Sequence, residues 1–241
     1  MRHSRTQLLV GSAGMQKLAN AHVAVFGVGG VGSYALEALA RAGVGHLYIV
    51  DFDCVEESNI NRQIIALDST IGLPKTRVAA ERIAQINPSA EVIAVQEFIA
   101  PNTVALHVPP DTGFAIDAID IIASKIPLIE HLYNSGIVFI SCMGAARKLD
   151  PTGFKIADIG STRYCPLARI VRRELRNRGI TKGVRCIYSE ENDIAPGDEP
   201  EITDAPACNG NRKRPQGTIS YMPAIMGLMA AGAIINDILK R

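Results

Sequence analysis

The sequence has no tryptophan, and aromatic residues make up only 5% of it. It also has no CxxC pair, and its five cysteines (Cys54, Cys142, Cys165, Cys186 and Cys208) are odd in number and widely scattered. That spacing excludes a zinc knuckle and a disulfide framework, so no zinc is expected, and reduced thiols in a cytoplasmic protein are the plain expectation. Charge of one sign is lacking too. The formal net charge is +1, so the overall balance does not point to nucleic acid, and any such binding must come from a local patch. Arg2 and Arg5 are not followed by an apolar run with a small-residue cleavage site, so no signal peptide is expected. There is no internal repeat and no low-complexity linker. With 241 residues, 47% of them hydrophobic, the chain can bury a sizeable core without disulfides or metals. One compact domain is expected over residues 1–241, with a regular core at about 20–145 and a specialised segment at about 146–241.

What is present is a rhythm of short apolar runs and helical patterns. Residues 22–27, 46–53, 91–96, 113–120 and 137–144 read as strands. Helical spacing fills residues 31–44, 75–86 and 122–135, and a shorter helical pattern (Met15, Leu18, Ala19) precedes the first strand. Strands alternating with helices predict an α/β fold whose mostly parallel sheet is covered on both faces. Residues 218–239 are apolar and about long enough to span a bilayer. Pro223, Gly227, Gly232, Asn236 and Asp237 interrupt that run, so a buried helix packed closely on the sheet is expected rather than a membrane span.

The turn from first strand to first full helix is GVGGVG, with Gly27, Gly29, Gly30 and Gly32. Glycines there allow a tight turn and let a polyphosphate approach backbone N–H groups at a helix N-terminus. Asp51 follows the next strand, where a carboxylate can accept hydrogen bonds from ribose hydroxyls. Alone, this pattern fits NAD, FAD or ATP, and the glycines could also serve helix–strand packing alone. Asp53, Ser58, Asn59, Asn61, Arg62 and Gln63 come directly afterwards, then Lys75 in GLPK and Asp120 in DAID. An Arg and a Lys this early suit a triphosphate attacked at its α-phosphate, and Asp120 could hold the magnesium ion such chemistry needs. The bland alternatives are surface charges for Arg62 and Lys75, and a helix cap for Asp120.

Taken in order, RTQLLVG, GVGGVGS, DFDCVEESNINRQ, GLPK, INP and DAID resemble the ThiF/MoeB/HesA adenylating family, relatives of the ubiquitin-activating enzymes, over nearly the whole chain. The resemblance implies a Rossmann-like sheet, with the C-terminal segment adding strands and a buried helix. It implies ATP and magnesium, with Gly27, Gly29, Gly30 and Gly32 lining the nucleotide and Asp51 on the ribose. Asn59 and Arg62 would contact phosphates, Lys75 would stabilise developing charge, and Asp120 would bind magnesium. It further implies a homodimer in which Arg5 reaches the partner's site like an arginine finger.

The C-terminal third resembles the branch that dehydrates threonylcarbamoyladenosine 37 of tRNA, through LDPTGFKIADIGSTRYCPLARIVRRELRNRGI, VRCIYSEE and GTISYMPAIMGLMAAGAII. In that branch a carboxyl adenylate forms and loss of AMP closes a ring, and a sulfurtransferase system sometimes cooperates. The rival reading is adenylation of the C-terminal Gly-Gly of a ubiquitin-like sulfur carrier. Residues 163–185 hold eight basic residues against one acid. Among them Arg169, Arg172, Arg173 and Arg176 recur at helical spacing, a footprint suited to a phosphate backbone. Residues 190–204 hold seven acids that could neutralise this face, and a third patch, Asn211, Arg212, Lys213 and Arg214, precedes the last helix. Where that branch usually has an aspartate before the proline, this chain has Cys165, so no polar role is carried over there.

Overall fold

The structure, a computed structural model, describes residues 2–195 and 216–240. Cys208, the later part of the acidic run and the patch at 211–214 lie outside the described residues. The strands are β1 (His22–Phe26), β2 (His46–Val50), β3 (Glu91–Val95), β4 (Phe114–Asp117), β5 (Val138–Cys142), β6 (Phe154–Asp158) and β7 (Arg185–Ser189). They form one sheet in the order β3-β2-β1-β4-β5-β7-β6. Every pairing is parallel except β6 with β7, so the C-terminal segment adds one parallel strand and an antiparallel edge.

Alternation along each strand divides the core between two faces. Val23, Val25, Leu47, Ile49, Ile116 and Ile140 meet α2 (Gly32–Ala42), α3 (Lys75–Ile86), α6 (Tyr221–Lys240) and the end of α1 (Ser4–Ala19). Ala24, Phe26, Ala115, Phe139, Cys186 and Tyr188 meet α4 (Ile122–Asn134) and α5 (Pro166–Asn177). Each of the five predicted strands ends before its apolar run does, and two of them end three residues early. β2 stops at Val50 because the Asp51 carboxylate accepts the Asp53 N–H at 2.8 Å. β4 stops at Asp117, whose carboxylate accepts the Ile119 N–H at 3.1 Å. Each local bond offers the backbone a turn in place of the next ladder rung. The N-terminal pattern extends further than expected: α1 begins at Ser4, and Gly11 breaks it at φ 72°, ψ 176°.

Helix α6 has the length and hydropathy of a membrane span, but half of its most apolar window is buried, packed on α2 and the sheet. Its closeness to α2 depends on Gly227. A Cβ there would sit 2.2 Å from the Val31 carbonyl oxygen and 3.1 Å from the Ala35 nitrogen. Beneath α2, the buried Glu37 receives Arg41 and Arg82 at 2.7 and 2.6 Å, tying α2 to α3. Gly227→Ala is expected to destabilise the chain by about 1–3 kcal/mol through overpacking against backbone. Gly232→Ala, with nothing within 4 Å of the added carbon, is expected to be neutral or to stabilise by up to about 1 kcal/mol. Thermal unfolding of the two variants checks the contrast.

Candidate functional site

The strand order reverses at β1, with β2 and β3 to one side and β4 onward to the other. In open α/β sheets the crevice beyond the carboxyl ends at this reversal is where ligands bind. Gly27 to Gly32 sits there, between β1 and α2. Gly27 has φ +88°, and a Cβ would lie 2.8 Å from the Ala118 carbonyl oxygen; one on Gly32 would lie 1.8 Å from the Gly27 oxygen. These two glycines are therefore demanded by the turn itself. Gly30 abuts Pro223 of α6 and the Arg62 carbonyl, whereas a Cβ on Gly29 would meet nothing within 4 Å. Gly29 is thus the position at which a ligand can come closest to the backbone.

Asp51 fixes this turn. One carboxylate oxygen accepts the Val28 N–H at 2.5 Å and the other accepts the Asp53 N–H. Burial pushes the Asp51 carboxyl above the usual range, opposed by Lys75 and by those two backbone N–H groups. Each oxygen keeps further acceptor capacity, and a ligand donating hydroxyls there would favour the ionised form. Lys75, buried at the first position of α3, reaches Asp53 at 3.1 Å, and its N–H bonds the Asp53 carbonyl.

The loop between β2 and α3 carries the remaining candidates. Asn59 is buried and closes a 3₁₀ turn through a capping box with Glu56. Exposed Ser58 bonds Glu56. Asn61 donates to the Thr218 carbonyl at 3.0 Å, linking the loop to the segment entering α6. Arg62 is half-buried and donates to the Ser58 carbonyl and to Asn61. Burial pulls the Arg62 pKa down, while the charges of Asp120 and Glu56 act against this. The side-chain oxygens of Gln63 and Ser33, flanking the glycine turn, are buried without a hydrogen-bond partner among the described residues. Also among the described residues, no group of three or more His, Cys, Asp or Glu side chains gathers to hold a metal. Asp120 is an exposed single carboxylate at the mouth.

Arg5 lies elsewhere. His3 bonds the Arg41 carbonyl and Arg2 bonds the last carbonyls of α3, so the first turn of α1 stands at the C-terminal ends of α2 and α3. The 11 residues of α2, a helix about 16 Å long, separate it from the glycine turn of the same chain. The arginine stripe on α5 is also divided. Arg169, Arg173 and Arg176 are exposed, but Arg172 turns inward and donates to the Thr162 carbonyl at 2.8 Å and to its hydroxyl at 2.5 Å. An outward role for Arg172 is therefore corrected to an anchoring one. Burial pushes the Cys142 and Cys186 thiols up to about 12, so neither supplies a thiolate near neutral pH. Cys165 is buried too, and its Sγ caps the Ala168 N–H at 3.5 Å, the place an aspartate would take.

One cluster has no counterpart among the residues singled out from sequence. Lys125, Asp117 and Ser141 are fully buried. Lys125 Nζ lies 2.7 Å from Asp117 and donates to the carbonyls of Ile119 at 2.9 Å and Cys142 at 2.8 Å; Ser141 donates to Asp117 at 2.6 Å. The lysine thereby holds the turn that presents Asp120. A signal was available, because Lys125 shares the buried helical stripe of Leu128, Ile129 and Leu132, and a charge there demands a partner.

Among known protein families, the ThiF family model matches residues 3–241. The chain is 44% identical to the tRNA threonylcarbamoyladenosine dehydratase of Bacillus subtilis, over 98% of this chain and 94% of that protein. The crystal structure of the Escherichia coli tRNA N6-threonylcarbamoyladenosine dehydratase in complex with ATP superimposes with a TM-score of 0.89 at 34% identity, covering 99% of this chain and 94% of that one. The molybdopterin-synthase adenylyltransferase of Salmonella typhimurium is 32% identical, over 62% of this chain and 60% of its own length. With a family model spanning nearly its whole length and relatives at this level of identity, the chain belongs to the ThiF family.

Proposed function

We propose that this chain uses ATP to dehydrate threonylcarbamoyladenosine 37 of tRNA through a carboxyl adenylate. One observation carries the reading. Similarity to the dehydratases runs over 98% of the chain, whereas similarity to the sulfur-carrier adenylyltransferase stops at 62%. The C-terminal strands and helices are therefore shared with enzymes named for the tRNA reaction, together with the nucleotide-turn motifs.

The chemistry follows from the crevice. ATP lies along the glycine turn with its phosphates against Gly29 and the N-terminus of α2, and its ribose on Asp51. A carboxylate oxygen of the threonyl group attacks the α-phosphate, and pyrophosphate leaves. Arg62 and Lys75 offset the charge that develops, and Asn59 orients a phosphate. A single exposed carboxylate suits magnesium, which is commonly held by one or two carboxylates plus substrate phosphates, so Asp120 would hold it. Magnesium held there would supply positive charge that offsets the charge of the phosphates. The carbamoyl group then attacks the acyl carbon, AMP leaves with one former carboxylate oxygen, a carbamoyl N–H proton is lost to solvent, and the ring closes. No enzyme nucleophile enters, which agrees with thiols at Cys142 and Cys186 that stay protonated.

The active unit we propose is a homodimer. Leu8 and Leu9 are 82% and 86% exposed on α1, beside Arg5, and a second copy of the chain would cover them. Arg5, remote from its own crevice, would then serve the partner's.

AMP and pyrophosphate release is expected only with tRNA carrying the modification, accompanied by loss of one water from the nucleoside. Release that ignores this tRNA but responds to a Gly-Gly-tailed carrier protein would overturn the reading. Arg62→Ala is expected to lower kcat by about 100- to 1,000-fold with the fold intact, read by steady-state kinetics and circular dichroism. A Leu8→Glu, Leu9→Glu double variant is expected to sediment as a monomer and to lose activity, and an unchanged dimer would place the interface elsewhere.

A further inference from the structure

The segment joining β6 to α5 holds two outward-facing residues between two buried ones. Thr162 and Cys165 are buried, and Arg163 and Tyr164 are exposed. Thr162 is gripped from both sides: its hydroxyl donates to the Ile159 carbonyl at 2.8 Å, and Arg172 donates to the Thr162 carbonyl and hydroxyl. Cys165 is packed in the core and caps α5. With both flanks fixed, Tyr164 is forced to φ +58°, a left-handed conformation that favours glycine. A bulky residue persists in that region only where its surroundings over-determine it, and such outliers cluster at ligand sites. Tyr164 is nonetheless 62% exposed, so its ring does nothing for the core.

Its surroundings are cationic. Arg163 precedes it, and the exposed Arg169 lies on the first turn of α5, four residues after the Cys165 cap. Arg173 follows one turn further along the same exposed stripe. Among the described residues, Glu174 pairs with Arg173 at 3.1 Å, and Glu190 pairs with Lys155 and accepts the Tyr188 hydroxyl. Helix α5, about 18 Å long, runs from this turn back to the loop that enters β7 at Arg185, beside which the Val184 carbonyl accepts the Ile159 N–H, so the turn stands toward the carboxyl end of β7. That is the same end of the sheet as the turn carrying Asp120, and the strands β4 and β7 themselves lie two spacings apart, roughly 10 Å.

We propose that Tyr164, flanked by Arg163 and Arg169, is a stacking platform for an unpaired nucleobase of an RNA loop whose modified nucleotide occupies the crevice. This rests on the tRNA reading above and adds to it the site that holds the loop open. A rigid aromatic face among guanidinium groups matches a base and its phosphates, since sequence-presenting RNA loops are bound by stacking splayed bases on aromatic and Arg side chains.

The full-length chain can be tested directly because it contains no tryptophan. Tyr164→Trp places a lone fluorophore at the platform. Its emission is expected to be quenched on titration with tRNA carrying threonylcarbamoyladenosine, and to be indifferent to a blunt RNA duplex. Tyr164→Gly relieves the left-handed strain, so its melting temperature is expected to hold or rise and ATP binding to stay unchanged. Its affinity for the same tRNA is expected to fall by about 5- to 100-fold, while Tyr164→Phe stays within about twofold of the parent. A glycine variant that binds the tRNA as well as the parent, or tryptophan emission that ignores bound tRNA, would overturn the platform while leaving the dehydratase reading intact. A parent chain that neither binds nor dehydrates the tRNA overturns both.

Discussion

A single buried carboxylate sets the geometry on which the crevice depends. Asp51 grips the Val28 N–H with one oxygen and the Asp53 N–H with the other. The first bond fixes the glycine turn to the end of β2. The second turns the chain out of the sheet and aims Asp53 at Lys75, 3.1 Å away. The three sequence motifs around Gly29, Asp51 and Lys75 are thereby one hydrogen-bonded unit. Hydrogen bonds to a charged group contribute about 1.5–3 kcal/mol each, and burying the carboxylate costs an amount of the same order. Asp51 therefore contributes position more than stability, and a ligand that donates hydroxyl groups to it meets a site already shaped.

The opposite wall is built on the same principle with a different residue. Lys125, buried beneath the turn after β4, joins Asp117, the Ile119 carbonyl and the Cys142 carbonyl in one cluster. Removing one partner of such a pair leaves an uncompensated charge in the core, so the cluster ties the placement of Asp120 to the integrity of the fold. Asp51 both shapes the glycine turn and keeps acceptor capacity for a ligand, whereas Asp117 and Lys125, fully buried, only hold the turn that carries Asp120.

Much of this is legible in the amino-acid sequence alone. Five of the seven described strands, the glycine turn and the order of polar residues after β2 follow from periodicity and local chemistry, while β6 and β7 lie in the segment whose strands only the family resemblance implies. What is not legible is whatever depends on contacts distant in sequence. Glu37 looks like an ordinary helix-surface acid until Arg82, 45 residues away, is placed beside it. Arg172 fits an exposed stripe by spacing, yet it is claimed by Thr162 on the preceding turn. Gly227 looks like an interruption in an apolar run, and only the approach of Val31 makes it a requirement. Strands end early where an aspartate side chain competes with the ladder, and apolar periodicity carries no information about such bonds.

The most direct test of the account follows one oxygen atom. If the substrate carboxylate attacks the α-phosphate, tRNA whose threonyl carboxylate carries oxygen-18 will pass one heavy oxygen to AMP during dehydration, detectable by mass spectrometry of the nucleotide. Labelled AMP is the predicted result. Unlabelled AMP, or label appearing in inorganic phosphate alongside ADP, would contradict the carboxyl adenylate and with it the chemistry assigned to this crevice.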